Sequence, residues 1–151
     1  MNYDPLVQEL SKPEYASMSD QEAADAINAK RVMVREPIAV ADVKAYSIQQ
    51  GFFADIDEAC NDTNASKRKL CKNVRAWIDD AAGKLHTIDI DSTTASAMLE
   101  GLVGFELMTR IQANELKAMS NKSRFWTELN GWSIVESGHV QSARRMILEV
   151  K

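Results

Sequence analysis

The sequence contains few of the residues that build turn-rich or cross-linked folds. It has six glycines, three prolines and two cysteines among 151 residues. An all-β sandwich needs many glycine- and proline-containing turns, so this composition argues against that class. Cys60 and Cys71 form no C-x-x-C motif and have no cluster of histidines beside them, which argues against a zinc site. We therefore expect two reduced thiols in a protein made inside the cell.

The sequence also lacks long apolar runs and a surplus of basic residues. No run approaches the roughly 20 apolar residues that span a bilayer, and the first residues do not resemble a signal peptide. We expect a chain that is made in the cytoplasm and has no membrane partner. The net charge of −4 and the isoelectric point of about 5.2 argue against a general nucleic-acid binder.

What the sequence does contain is typical of helices. It is 45% hydrophobic and 26% charged, and methionine is frequent, with seven residues. The length favours a single domain over residues 1–151. We predict an all-α bundle of about six to eight short and medium helices around a central apolar helix, with at most one or two very short strands.

The central element is predicted in Thr93–Met119. Its first half places apolar side chains on nearly every side of a helix, so most of that surface must be covered. Gly101 and Gly104 lie inside this half, and Thr109 with Gln112 forms a capping-box pattern. The pattern fits one kinked helix or two helices, and the sequence leaves both open. The two glycines lack the lysine of a phosphate-binding loop, so they indicate close helix packing or a kink.

Other helix boundaries carry recognisable signals. Asp4 is predicted as the N-cap of a first short helix, and Ser19 with Glu22 forms a capping box. Gly51 is predicted to end a helix over 39–50 in the left-handed conformation. A strongly amphipathic helix is predicted over 65–82 and ended by Gly83. Two more are predicted over 123–129 and, capped by Ser137, over 138–148. The stretches 31–36 and 86–91 are extended, either as connectors or as short strands.

No motif for catalysis or metal binding is present. His86 and His139 are far apart and lie in no H-x-x-x-H pattern. The nucleophile motif G-x-S-x-G is absent, and the paired acids at 55–58 and 89–91 do not have the spacing of a calcium loop. We therefore predict no catalytic residue, no metal ligand and no cofactor, and thus no enzyme.

Two candidate surfaces remain. One is a basic helix face, formed by Lys67, Arg68, Lys69, Lys72 and Arg75. It is either a solvated face of an amphipathic helix or a contact for DNA phosphates. The other is a candidate partner interface near the C-terminus, formed by Phe125, Trp126, Trp132, Arg144 and Arg145. Tryptophan and arginine are enriched where interface energy concentrates.

Three short motifs follow one another along the chain. They are Met18-Ser19-Asp20 with Glu22, Ala24, Ile27 and Asn28; Thr87 to Ser92; and Ser123-Arg124, Glu128-Leu129, Gly131, Val135, Val140 and Ala143-Arg144. In these motifs and their order, the chain resembles small helical proteins encoded by tailed bacteriophages. The resemblance implies a phage context and transfers no catalytic residue.

Three functional hypotheses follow. The first is a non-enzymatic virion or assembly protein, a tail or head–tail adaptor that contacts other virion proteins and copies of itself, located in the virion. The second is a DNA-associated packaging or regulatory protein that uses the basic helix at 67–75. The third, a small enzyme or inhibitor acting on the host, has no motif in its favour.

Overall fold

The computed structural model describes residues 1–79 and 86–150, and within them helices predominate. The helices in these ranges are α1 (Asp4–Leu10), α2 (Asp20–Ala29), α3 (Val40–Gln49), α4 (Phe52–Ala59), α5 (Ala65–Ile78), α6 (Thr93–Gly104), α7 (Arg110–Ala118), α8 (Trp126–Leu129) and α9 (Ser137–Glu149), with a 3-10 turn at Pro13–Tyr15. The strands are β1 (Arg31–Arg35), β2 (Ile38–Ala39), β3 (Thr87–Ile88) and β4 (Asn121–Phe125). The predicted helical fold is confirmed, but the described residues are not purely all-α, and the predicted limits of eight helices and two strands were too low.

The strands pair two by two. β2 and β3 are antiparallel, with Ile38 opposite Ile88 and Ala39 opposite Thr87. β1 pairs with β4 in a second two-stranded sheet. The helix predicted over 123–129 is therefore wrong in its first half, where β4 lies, and only Trp126–Leu129 is helical. Long-range strand pairing decides the conformation of such a short segment, and local helix propensity does not detect it.

Several helix ends follow the predicted caps. In α2 the Ser19 hydroxyl accepts from the Glu22 amide at 3.2 Å, and the Glu22 carboxylate accepts from the Ser19 amide at 2.7 Å. Two predicted caps are wrong by one residue. Tyr3, not Asp4, precedes α1. Glu136, not Ser137, precedes α9, and its amide donates to His139 Nδ1 at 3.0 Å. The His139 imidazole thus accepts the hydrogen bond that a glutamate or glutamine side chain usually accepts in a capping box.

The stretch Thr93–Met119 forms two helices, α6 and α7. The break lies after both predicted glycines, at Glu106, which has a φ of 59°. The Glu106 amide donates to the Val103 carbonyl at 3.0 Å, and the Leu107 amide donates to the Leu102 carbonyl at 2.9 Å. These two bonds define a Schellman motif, with Glu106 in the position that usually holds glycine. The predicted box of Thr109 and Gln112 then opens α7.

Gly101 has a packing role rather than a conformational one. A Cβ atom built on it would lie 2.7 Å from Leu70 Cδ2, closer than carbon atoms approach without moving. Gly101 therefore lets α6 approach α5, as the close-packing alternative predicted. Gly104 has no atom within 4 Å of such a Cβ, so no packing contact requires glycine there.

The chain divides into two compact units. Unit 1 comprises Met1–Met33 and Ser123–Lys151, and unit 2 comprises Val34–Lys122. Each has its own apolar cluster of buried side chains. Unit 1 is built on α1, α2, α8 and α9. The stretch Thr93–Met119 contributes to the core of unit 2, together with residues of α3, α4 and α5, and supplies no residue of the unit 1 cluster, so its role in the core holds for unit 2 alone. A single domain over 1–151 stays a prediction.

The amphipathic helix α5 is shorter than predicted. It ends at Ile78, with Asp79 as the C-cap residue, and the predicted end at Gly83 lies outside the described residues. Its apolar face contains Val74 and Ile78, as the periodicity predicted. Among the helices described, none has both the length and the apolar character that crossing a bilayer requires.

Candidate partner surfaces

Trp126 and Trp132 belong to the interior of unit 1. Their side chains are only 6% and 5% exposed. Trp132 packs edge-on against Tyr3 at 5.5 Å and His139 at 5.1 Å between ring centroids. The Trp132 amide donates to the Thr127 carbonyl at 2.8 Å, where Gly131 takes a φ of 72°. Because these rings are covered by the chain itself, they do not form an accessible partner surface.

Asn28 holds the segment after Trp132 in place. Its side-chain amide donates to the Val135 carbonyl, and its carbonyl oxygen accepts from the Val135 amide, both at 2.8 Å. The two bonds resemble the paired backbone hydrogen bonds between neighbouring strands. Val135 is buried, with 1% of its surface exposed. The sequence analysis gave no local signal for this contact, which spans 107 positions.

Of the other members of the predicted interface, Arg144 and Phe125 contact residues of unit 1, and Arg145 is exposed. The Arg144 guanidinium donates to the Asp20 carboxylate at 2.6 Å and to the carbonyls of Tyr15 and Met18 at 3.0 and 2.7 Å. It thereby fastens the loop before α2 to α9. The half-buried Phe125 ring carries the Arg31 guanidinium 4.0 Å from its centroid, a cation–π contact. Arg145 is exposed.

Unit 1 exposes apolar side chains at the end of α9. One side of this helix is buried, with Val140 and Ala143 both fully covered. Past them, Met146, Leu148 and Val150 are 40%, 72% and 88% exposed. We call these three residues the α9 tip. Met146 and Val150 are four positions apart and share a side, whereas Leu148 projects elsewhere, so the last turn is uncovered on more than one side.

Unit 1 also contains a buried ionic network around Glu9. The Glu9 carboxylate is 4% exposed and accepts from Lys12 at 2.5 Å, Lys30 at 2.6 Å and the Tyr15 hydroxyl at 2.8 Å. Burial alone raises the pKa of Glu9, but the three hydrogen bonds outweigh it and lower the pKa below 4.5. Burial and the bond to Glu9 raise the pKa of Tyr15 to about 12. This satisfied cluster ties α1 to the end of α2.

Three of the five cations on the basic helix are engaged by neighbouring acids or carbonyls in unit 2. Lys67 pairs with Asp62 at 3.0 Å, and Arg68 donates to the Asp62 carbonyl at 2.7 Å. Arg75 pairs with Asp57 and with Asp79. A bond from the Asn64 amide, followed by that from Lys67, lowers the pKa of Asp62. These charges therefore stabilise the α4–α5 region.

Lys69 and Lys72 are the two basic side chains that remain available. Both are exposed, and neither makes an ion pair with the described part of the chain. They are three positions apart and lie on the same face of α5. Two lysines form a small positive site, well below the six to ten phosphate contacts of a strong DNA-binding surface.

An open groove with acidic walls lies beside the start of α5. It is lined by side chains of the α4 end, the 61–63 loop and the bend after α6, including Asp55, Glu58, Asp62 and Glu106. Lys67 is the one basic residue among the described residues of its lining. The groove therefore places negative charge next to the helix that the sequence marked as basic, and the local field on this side of α5 is mixed.

Arg35 organises a further polar cluster in unit 2. Its guanidinium donates to both Asp91 oxygens at 2.9 and 2.5 Å, to the Lys117 carbonyl at 3.0 Å and to Asn121 Oδ1 at 2.9 Å. The bidentate bond from Arg35 lowers the pKa of Asp91. These contacts connect segments that lie 56 to 86 positions apart, so no local sequence pattern predicts them.

The histidines and cysteines do not assemble a reactive centre in the described residues. His139 caps α9 in unit 1, and His86 lies before β3 in unit 2. Cys60 and Cys71 are free thiols, and burial raises the pKa of Cys71. Among residues 1–79 and 86–150, no three His, Cys, Asp or Glu side chains are grouped to hold a metal ion.

No family model, no curated protein and no solved structure matches this chain.

Proposed function

We propose that this chain is a non-enzymatic assembly or virion protein of a tailed bacteriophage, a tail or head–tail adaptor component present in several copies. It acts by contact with other virion proteins and with copies of itself. The resemblance of its ordered motifs to small helical phage proteins supports the phage context. The α9 tip is the structural observation that carries the contact, since it contains the two apolar side chains Leu148 and Val150, which are 72% and 88% exposed in unit 1, whereas the two tryptophans are buried.

The α9 tip has enough apolar surface to matter in a contact. Leu148 and Val150 are 72% and 88% exposed, so most of each side chain is available for burial by a partner. Complete burial of such a side chain contributes about 1.5–3 kcal/mol. Covering both strengthens a contact at least tenfold, because each factor of ten corresponds to about 1.4 kcal/mol.

Complementation tests the contact. A phage that lacks this gene is supplied with the wild-type protein or with Leu148→Glu/Val150→Glu, and infectious particles are counted. We expect the double variant to yield at least tenfold fewer particles at equal protein level and unchanged helical circular dichroism. The control is Ile111→Glu, which makes the same kind of change at a 70% exposed site in unit 2. A wild-type yield from the double variant contradicts the assignment of the contact to the α9 tip.

The second candidate function is a DNA-associated packaging or regulatory role. Its specific support is the exposed pair Lys69 and Lys72 on α5. The logarithm of the DNA-binding constant falls linearly with the logarithm of the salt concentration, and each lost phosphate contact makes the slope shallower by about 0.9. Lys69→Ala/Lys72→Ala is therefore compared with wild type by fluorescence anisotropy on duplex DNA at several salt concentrations. An unchanged affinity and slope in the variant rules this function out.

A further inference from the structure

The core of unit 2 contains an apolar cavity of about 50 Å³ that is partly open to the surface. All fourteen lining residues that the structure describes have apolar side chains, contributed by helices α3 to α7 and by the segment around β3. Protein interiors normally contain few voids larger than a water molecule. This cavity is therefore a departure from close packing at the point where most elements of unit 2 converge.

Water is a poor occupant of this cavity. A buried water needs two to four hydrogen-bonding partners, and among the described lining residues the Trp77 indole N–H is the one side-chain donor. Among the described residues, no buried side-chain nitrogen or oxygen lacks a hydrogen-bond partner, so no orphaned polar group aims into the space. Apolar cavities of this kind stay dry and take up apolar atoms or molecules.

The lining also provides a route of entry. Most lining residues are buried, but Trp77 and Met98 are only partly buried and lie at the edge of the core. Methionine has three rotatable side-chain bonds and repacks at little cost. Because the cavity is already partly open, we expect a rotamer change of Met98 to widen the opening without unfolding α6.

We propose that this cavity is a binding site for a small uncharged apolar ligand, of the size of a xenon atom or a hydrocarbon of few carbons. The cavity volume of about 50 Å³ limits the ligand to a single large atom or a few carbons. The lining sets the chemistry, because a polar ligand would lose its hydrogen bonds to water and could regain only that from the Trp77 indole N–H.

Xenon is the probe, followed by methyl NMR of the intact protein under gas pressure. We expect saturable shifts of the methyl groups of Val43, Leu99 and Leu102, which line the cavity. The methyl groups of Val140, fully buried in unit 1, report any effect that does not depend on the cavity. Nitrogen at the same pressure controls for compression. Absence of a saturable shift, or equal shifts at Val140, overturns the proposal.

A filling variant supplies the second arm. Ala95→Val adds two carbons to the smallest side chain of the lining, so the saturable shift should be lost. Ala113→Val is the matched control: Ala113 is equally buried in unit 2 but lies outside the described lining, and its variant should keep the shift. If Ala95→Val does not fold, Val43→Ile adds one carbon from α3 and should weaken binding. Full binding by both filling variants contradicts the site.

Discussion

Replacement of Glu106 by glycine is expected to stabilise unit 2. Glu106 ends α6 with a φ of 59°, in the left-handed region that costs a residue with a Cβ about 1–2 kcal/mol. Its side chain is exposed, so its removal leaves no cavity. Glycine loses about 0.5–1 kcal/mol more conformational entropy on folding. The free energy of unfolding should therefore rise by about 0.5–1 kcal/mol in Glu106→Gly.

The assay is urea unfolding followed by circular dichroism, with thermal unfolding in parallel. For a chain of this length, 1 kcal/mol corresponds to about 2–4 °C in the unfolding midpoint. The slope of free energy against urea should not change, because the folded state and its buried surface stay the same. A shift of the midpoint at constant slope is the expected result.

Two variants separate backbone strain from charge. Glu106→Ala removes the carboxylate from the acidic groove but keeps a Cβ, so it should gain little. Gly131→Ala introduces a Cβ at the equivalent position after α8, where φ is 72°, and by the same arithmetic should lose about 0.5–1 kcal/mol. If Glu106→Ala stabilises as much as Glu106→Gly, charge repulsion is the cause. That result, or a loss of stability in Glu106→Gly, refutes the argument from strain.

Three further predictions concern the packing of each unit. Glu9→Gln leaves buried donors without a charged partner and should lower stability at pH 7 by about 1–3 kcal/mol. The pKa of Glu9 in the folded chain is lowered from 4.5, so the Glu9 carboxylate contributes its full stabilisation above pH 4.5. Below that pH the difference in stability between wild type and Glu9→Gln should shrink, which thermal unfolding at decreasing pH will measure. A difference that stays constant contradicts this. Arg144→Lys should lower the thermal midpoint, because a single ammonium cannot reach one carboxylate and two carbonyls, whereas the exposed Arg145→Lys should not; equal midpoints of the two variants refute the clamp. A single domain over residues 1–151 can be tested with two variants, one that keeps only Trp77 of unit 2 and one that keeps only the tryptophans of unit 1, the others being replaced by Phe. If the chain folds as one domain, the tryptophan fluorescence of both variants should change at the same urea concentration. Two separate transitions contradict a single domain.

Local signals predicted the parts of the fold that local physics controls. The capping boxes at Ser19 and Thr109 form the predicted bonds, and Gly51 ends α3 in the left-handed conformation. Each depends on residues within four positions of one another. The sequence did not decide whether Thr93–Met119 forms one kinked helix or two helices. The break lies at Glu106, whereas a helix end in the left-handed conformation usually has glycine at that position.

The remaining features depend on distant contacts. The last three residues of β4 were predicted as helix because the partner strand β1 lies about 90 positions earlier in the chain and leaves no local signal. The tryptophans are typical of both cores and interfaces, and only their burial against the rest of unit 1 decides between the two for the isolated chain. The basic helix was visible in the sequence, but the acids that neutralise Lys67 and Arg75 are contributed partly by the preceding helix and loop. Whether either surface contacts another molecule stays a prediction.

The proposed function is tested most directly by quantitative mass spectrometry of purified particles of a phage that encodes this chain. Particles are washed in high salt and treated with DNase before analysis. An assembly protein held by apolar contact should remain, at a fixed number of copies relative to the major capsid protein, because salt does not weaken such contacts. Absence of the chain from intact particles contradicts a virion role, and its loss together with the DNA or in high salt favours the DNA-associated alternative.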